Sequence, residues 1–137
     1  MRGGDRRALV RAAAIASLLA LPALAARPCT LPAHSGAQLV QGPVQLAWLA
    51  QPEAIAVGHP FVLQLSLCPT DAKLLRVDAT MPEHRHGMNY RPTITAVGPG
   101  RWRAEGLLWH MSGRWELAIE VEAAGARHLL RQSVQLP

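Results

Sequence analysis

Alternation of apolar with polar or small residues dominates the chain after residue 43 and most constrains its fold. The clearest run is 115–121, and the same two-residue period occurs in 44–48, 61–67, 75–81 and 101–105. Segments 93–97 and 127–135 show it more weakly. A period of two places every second side chain on the same face of a strand. No convincing helical period follows residue 25, so the sequence predicts strands throughout.

Turn-forming residues separate these segments. They are Gly42-Pro43, Gly58-His59-Pro60, Gly98-Pro99-Gly100, Ser112-Gly113 and Ala124-Gly125. The third of these predicts a hairpin loop, and Gly106, where the alternation shifts, predicts a β-bulge. Seven short strands with regular turns in about 100 residues indicate an all-β fold, an Ig-like antiparallel β-sandwich.

The N-terminus has the three parts of a secretory signal. Residues 1–11 are basic, 12–24 are almost entirely apolar, and Ala23-Leu24-Ala25 matches a cleavage site. We therefore predict a signal peptide over 1–25 and one domain over 26–137, located in the periplasm or secreted. The apolar run is shorter than the roughly 20 residues that span a bilayer. Retention of the segment as an uncleaved anchor is the alternative.

The net charge belongs largely to this leader. The whole chain has 14 basic and 9 acidic residues, but four arginines and one aspartate lie in residues 1–11. The remaining 10 and 8 give a net charge of only +2. Since no Lys or Arg cluster remains after residue 25, we do not expect nucleic-acid binding.

Two cysteines, Cys29 and Cys68, lie in the predicted exported domain. An even number of cysteines outside the cytosol favours a disulfide bond. A catalytic or metal-bound thiol is the alternative, but the chain has no C-x-x-C motif, and Cys68 has no His or Met close after it.

One segment, 81–92, concentrates histidine and methionine between two predicted strands. In an extended chain His84, His86 and Met88 point to the same side. A second pair, His110-Met111, precedes the Ser112-Gly113 turn, and two loops at one end of a sandwich could join the pairs. Imidazole suits copper and zinc, whereas thioether suits Cu(I), so the mixture predicts a copper site. The alternatives are a solvated loop and, for Met81, a core position.

The sequence contains no common catalytic motif, which argues against an enzyme. It has no G-x-S-x-G, P-loop or H-E-x-x-H. Most carboxylates are predicted on an outward, solvated strand face, and three tryptophans in the core. The carboxylates are Asp78, Glu105, Glu116, Glu120 and Glu122, and the tryptophans are Trp102, Trp109 and Trp115. We expect His59 to be structural and His34 and His128 to lie at the surface.

The segments 56–61, 81–88, 100–103 and 111–117 together resemble the YtkA-like/FixH-like family. The specific parts are the M-P-x-H-x-H-G-M block at 81–88 and the M-x-G-x-W-x-L block at 111–117, within a resemblance that covers about residues 50–123. The resemblance implies a small Ig-like domain outside the cytoplasmic membrane. For FixH-like members it also implies a link to copper supply or to assembly of respiratory oxidases. The short, cleavable leader of this chain does not favour a direct role in oxidase assembly.

Two hypotheses for function follow. The first is a small exported binding protein that holds copper through its His/Met loop and passes it on. The second is a metal-free interaction module whose loops or edge strands contact another envelope protein. Both predict binding to a metal ion or a protein rather than catalysis, and no membrane span after cleavage.

Overall fold

The computed structural model describes residues 28–32 and 36–137. The predicted signal peptide, 1–25, and His34 lie outside the described residues. The described parts form nine strands and no helix. The strands are β1 (Ala37–Gln41), β2 (Val44–Gln51), β3 (Pro60–Cys68), β4 (Lys73–Met81), β5 (His86–Gly87), β6 (Thr93–Gly98), β7 (Arg101–Leu108), β8 (Gly113–Ala123) and β9 (Ala126–Leu136).

Two antiparallel sheets pack face to face as a sandwich, which confirms the predicted fold class. One sheet has the strand order β1-β2-β3-β7-β6, and the other has the order β5-β4-β8-β9. The seven predicted strands are all present. The two additional ones, β1 and the two-residue β5, are short edge strands.

The core is built from the inward residues of the alternating segments. Phe61, Leu63, Leu65 and Leu67 of β3 come from one sheet, and Trp115, Leu117, Ile119 and Val121 of β8 come from the other; each is at most 3% exposed. Burial of apolar surface of this kind is worth about 25 cal/mol per Å², and it is the main favourable contribution to folding. The strict alternation of β3 and β8 therefore fixes which faces of the two sheets meet.

Gly106 lies in the predicted β-bulge. Phe61 pairs with Leu107 and Leu63 with Ala104, so two residues of β7 oppose one residue of β3. The φ angle of Gly106 is 86°, in a region that glycine adopts at low cost. The predicted 98–100 hairpin loop also joins β6 to β7.

A second irregularity corrects the prediction for β4. The alternation placed Leu75 on the buried face, but Leu74 is buried and Leu75 is only half-buried. The register with β8 shifts between Leu74 and Arg76, so one extra residue interrupts the two-residue period. From Val77 to Met81 the buried residues are those that the alternation predicts.

The predicted core tryptophans differ in burial. Trp109 and Trp115 have no exposed surface, whereas Trp102 packs against the core while remaining partly exposed. The predicted outward carboxylates form ion pairs on the sheet faces. Examples are Glu120 with Arg127 at 2.9 Å and Glu105 with Arg103 at 2.8 Å.

Candidate functional site

The two predicted His/Met segments lie at the same end of the sandwich. His84 and His86 follow the last residue of β4, and His110 and Met111 occupy the connection from β7 to β8. The rings of His86 and His110 have centres 5.1 Å apart, and those of His84 and His86 are 5.8 Å apart. The fold thus brings together histidines from segments that are more than 20 residues apart in sequence. We call His84, His86 and His110 the histidine cluster.

A tight turn positions the first two histidines. The amide of His84 donates to the carbonyl of Met81 at 3.1 Å, and Arg85 adopts a positive φ of 55°. The chain then returns as β5, where His86 pairs with Met81 and Gly87 pairs with Thr80. Directly opposed residues in an antiparallel pair share a face. His86 therefore lies on the same face as the buried Met81.

Hydrogen bonds to the backbone carbonyls of both neighbours hold His110. The amide of Gly58 donates to the carbonyl of Trp109 at 2.8 Å. The indole Nε1 of Trp115 donates to the carbonyl of Met111 at 3.0 Å. With both neighbours anchored, the loop presents the exposed His110 side chain beside His86.

Aromatic rings form the inner wall of this end. His86 and His110 both meet Trp115 edge to face, with centres 6.1 and 5.6 Å from the indole. Trp115 stacks on Trp109 at 5.4 Å, and Trp109 meets Phe61 edge to face at 5.1 Å. These buried rings connect His86 and His110 to the core.

The ring spacings are compatible with two imidazoles on one ion. An imidazole bound at about 2.0–2.1 Å places its ring centre about 3.2 Å from the metal. Two bound rings then have centres about 4.5–6.4 Å apart for bond angles between a right angle and a straight line. The separations within the histidine cluster, 5.1 and 5.8 Å, fall in this range.

The methionines occupy three different environments. Met88 is half-buried against the core and lines a groove with Leu75, Tyr90 and Ile94. Met111 is 37% exposed, and its carbonyl already accepts the Trp115 hydrogen bond. Met81 is 1% exposed and lies directly opposite His86. Sequence reasoning placed Met81 in the core, and the register shows that this core position borders the histidine cluster.

The remaining candidate ligands either lie away from the histidine cluster or already form hydrogen bonds. Within residues 28–32 and 36–137, no three His, Cys, Asp or Glu side chains, the histidine cluster included, are grouped so as to hold a metal ion, so histidines of the cluster could share an ion only in pairs. His59 Nδ1 lies 3.0 Å from the carbonyl of Val57, and His128 lies beside the β8–β9 turn, 3.3 Å from the carbonyl of Ala123. Glu83, next to His84, accepts a hydrogen bond from Arg114 at 3.1 Å.

The two cysteines form the predicted disulfide. Cys29 and Cys68 have Cα atoms 5.5 Å apart and are bonded through their sulfurs. Cys68 is the last residue of β3, whereas the histidine cluster lies near the first residue of that strand. Both cysteines are therefore part of a structural disulfide at the end of the sandwich opposite the histidine cluster.

No family model, curated protein or solved structure matches the chain. Among the described residues, no helix is long and apolar enough to cross a bilayer.

Proposed function

We propose that this protein is an exported binding protein that holds one Cu(I) ion reversibly at the histidine cluster. The observation that carries the proposal is the 5.1 Å separation of the His86 and His110 rings, which come from β5 and from the connection between β7 and β8. The resemblance to YtkA-like/FixH-like domains, part of which are linked to copper supply, agrees with it.

Copper suits the residues present better than zinc or calcium does. Imidazole and thioether together favour Cu(I), whereas zinc and calcium sites seldom use thioether. Within the described residues, all three methionines, at 81, 88 and 111, lie in or beside the segments that carry the histidine cluster. The disulfide supports an oxidising compartment, such as the periplasm, for the same protein.

The position of the histidine cluster at one end of the domain suits exchange of the ion with a partner. His84 and His110 are exposed and His86 is half-buried, so a partner or chelator can reach the ion. A closed structural site would instead surround the metal with four protein ligands. Binding and transfer, rather than catalysis, is the activity we propose.

A Cu(I) titration against a competing chelator tests this proposal, with Cu(II) run in parallel. We expect one Cu(I) per wild-type chain. His86→Ala/His110→Ala should weaken binding by more than the about 10–100-fold that loss of an outer-shell partner costs. His59→Ala/His128→Ala is the matched control, because it removes two imidazoles outside the cluster, and it should bind like wild type.

Equal weak binding by all three proteins would contradict the copper proposal. The alternative, a metal-free interaction module, would then gain support. The exposed side chains beside the site, including Met111 at 37% and Tyr90 at 56%, would be the first to test as protein contacts.

A further inference from the structure

Met81 lies between the two segments that supply His86 and His110. On one side it pairs across the strands with His86, which places their Cβ atoms about 4.5–5.5 Å apart. On the other side its terminal methyl reaches the first residue of β8. A Cβ atom built on Gly113 would lie only 2.9 Å from Met81 Cε. The thioether, one bond from that methyl, therefore extends from the His86 strand toward the His110 connection.

Trp115 closes the inner side of the same space. Thr80 pairs with Glu116, so Met81 and Trp115 are neighbours on adjacent strands at this end of the sheet. The indole also contacts the rings of His86 and His110 edge to face. Met81 and Trp115 are at most 1% exposed, so this side of the site is dry.

We propose that Met81 Sδ is the sulfur ligand that completes a three-coordinate Cu(I) site with His86 and His110, and that Trp115 blocks further ligands on the buried side of the site. The inference rests on the proposed function and assigns its ligand set and its preference for oxidation state. Two imidazoles and one thioether suit soft Cu(I). Cu(II) prefers square-planar or tetragonal nitrogen and oxygen ligands, and the aromatic wall leaves no room for them on the inner side.

The other two methionines are placed less favourably. Met88 lies in the groove with Leu75 and Ile94, and its amide continues the β5 pairing by donating to the carbonyl of Ala79 at 3.0 Å. Met111 is exposed and lies in the connection between β7 and β8, so no strand register fixes the direction of its side chain. The sulfur with the most constrained position is therefore that of Met81.

Three Met→Leu variants test the assignment, because Leu and Met have similar volumes and such exchanges are well tolerated in cores. We expect Met81→Leu to weaken Cu(I) binding by about tenfold or more. Its Cu(II) affinity should change far less, because the imidazoles remain. Met88→Leu and Met111→Leu should match wild type in both. Thermal unfolding of each apo variant checks that the fold is intact.

A spectroscopic measurement makes the test independent of stability. In selenomethionine-labelled Met88→Leu/Met111→Leu protein, Met81 is the single label after Met1. We expect copper–selenium scattering in its Cu(I) X-ray absorption spectrum. The same labelled protein with Met81→Leu should show none.

The outcomes separate the two proposals. If wild type binds Cu(I) but Met88→Leu or Met111→Leu, and not Met81→Leu, loses affinity, the ligand assignment is wrong while the copper function stands. Unchanged Cu(I) affinity in all three variants, with no copper–selenium scattering, also overturns the assignment. If wild type does not bind Cu(I), the proposed function itself fails and the assignment fails with it.

Discussion

The two ends of the sandwich are closed by different kinds of interaction. At one end the Cys29–Cys68 disulfide and the backbone hydrogen bond from Leu67 to the carbonyl of Gly100, at 2.7 Å, join the chain segments. At the other end a backbone hydrogen bond also forms, from Gly58 to the carbonyl of Trp109 at 2.8 Å, but the side-chain contacts there are those of His86 and His110 with Trp115. Both ends belong to the same strands, because β3 runs from one to the other.

This difference predicts that one end of the sandwich contributes mainly to stability and the other mainly to metal binding. At the disulfide end both thiols are consumed by the covalent bond. Under the proposed function, the imidazole and thioether groups at the histidine end bind and release copper without breaking the fold. We therefore expect changes at the disulfide end to alter the free energy of unfolding, and changes at the histidine end to alter copper binding.

Removal of the disulfide should have the largest effect on stability. The bond joins residues 39 apart, and on the chain-entropy model its loss costs about 3–4 kcal/mol. Cys29→Ala/Cys68→Ala should therefore unfold at lower urea concentration. Its Cu(I) dissociation constant should stay within about twofold of wild type, because distant sites act independently. A large loss of copper affinity in folded protein would show that the two ends are coupled.

Two glycines provide a matched comparison of the ends. A Cβ on Gly100 would lie 2.6 Å from the carbonyl oxygen of Leu67, whereas one on Gly113 would lie 2.9 Å from the methyl of Met81. Both have positive φ, at 62° and 117°. The backbone near Gly100 cannot move aside easily, so Gly100→Ala should cost about 2–4 kcal/mol without altering copper affinity.

Gly113→Ala should cost less stability, about 1–3 kcal/mol from backbone strain, because a flexible side chain can shift. The displaced Met81 thioether should lower Cu(I) affinity at the same time. Urea unfolding and chelator competition on both variants give the comparison. A copper defect in Gly100→Ala, or a normal site in Gly113→Ala, would contradict the separation.

The sequence predicts these two ends unequally well. The β3 and β8 strands follow from strict alternation, and the disulfide follows from an even cysteine count in a predicted exported chain. The two residues of β5 have no pattern of their own, since they form a strand only by pairing with Thr80 and Met81. The bulge at Leu74–Arg76 likewise depends on the register with β8.

Prediction of the candidate site from the sequence is limited in the same way. Residue types and their spacing selected the candidate ligands, since dense His and Met residues are conspicuous in these segments. The candidates were His84, His86, Met88, His110 and Met111. Contact between His86 and His110 depends on which connections share an end of the sandwich. The position of Met81 requires both its strand phase, which the sequence predicts, and its cross-strand partner, which the sequence does not reveal.

The smallest predicted effect concerns the ion pair that holds the turn carrying His84. Arg114 Nε lies 3.1 Å from Glu83 Oε1, and both side chains are substantially exposed, at 37% and 63%. Exposed pairs contribute about 0.2–1 kcal/mol and are screened by salt. Arg114→Gln should therefore lower stability slightly at low salt and hardly at all at high salt. Faster hydrogen exchange at the amide of His84, which bonds the carbonyl of Met81, would locate the effect in the turn.

Arg103→Gln is the control, because it removes an exposed pair with Glu105 on a strand that forms the other sheet. It should change stability by a similar small amount and leave exchange at His84 unaltered. If both variants accelerate exchange at His84 equally, the turn is held by the stability of the whole domain rather than by its own side chains. The histidine end would then be as firmly fixed as the disulfide end, and reversible metal exchange would have to occur without local opening of the turn.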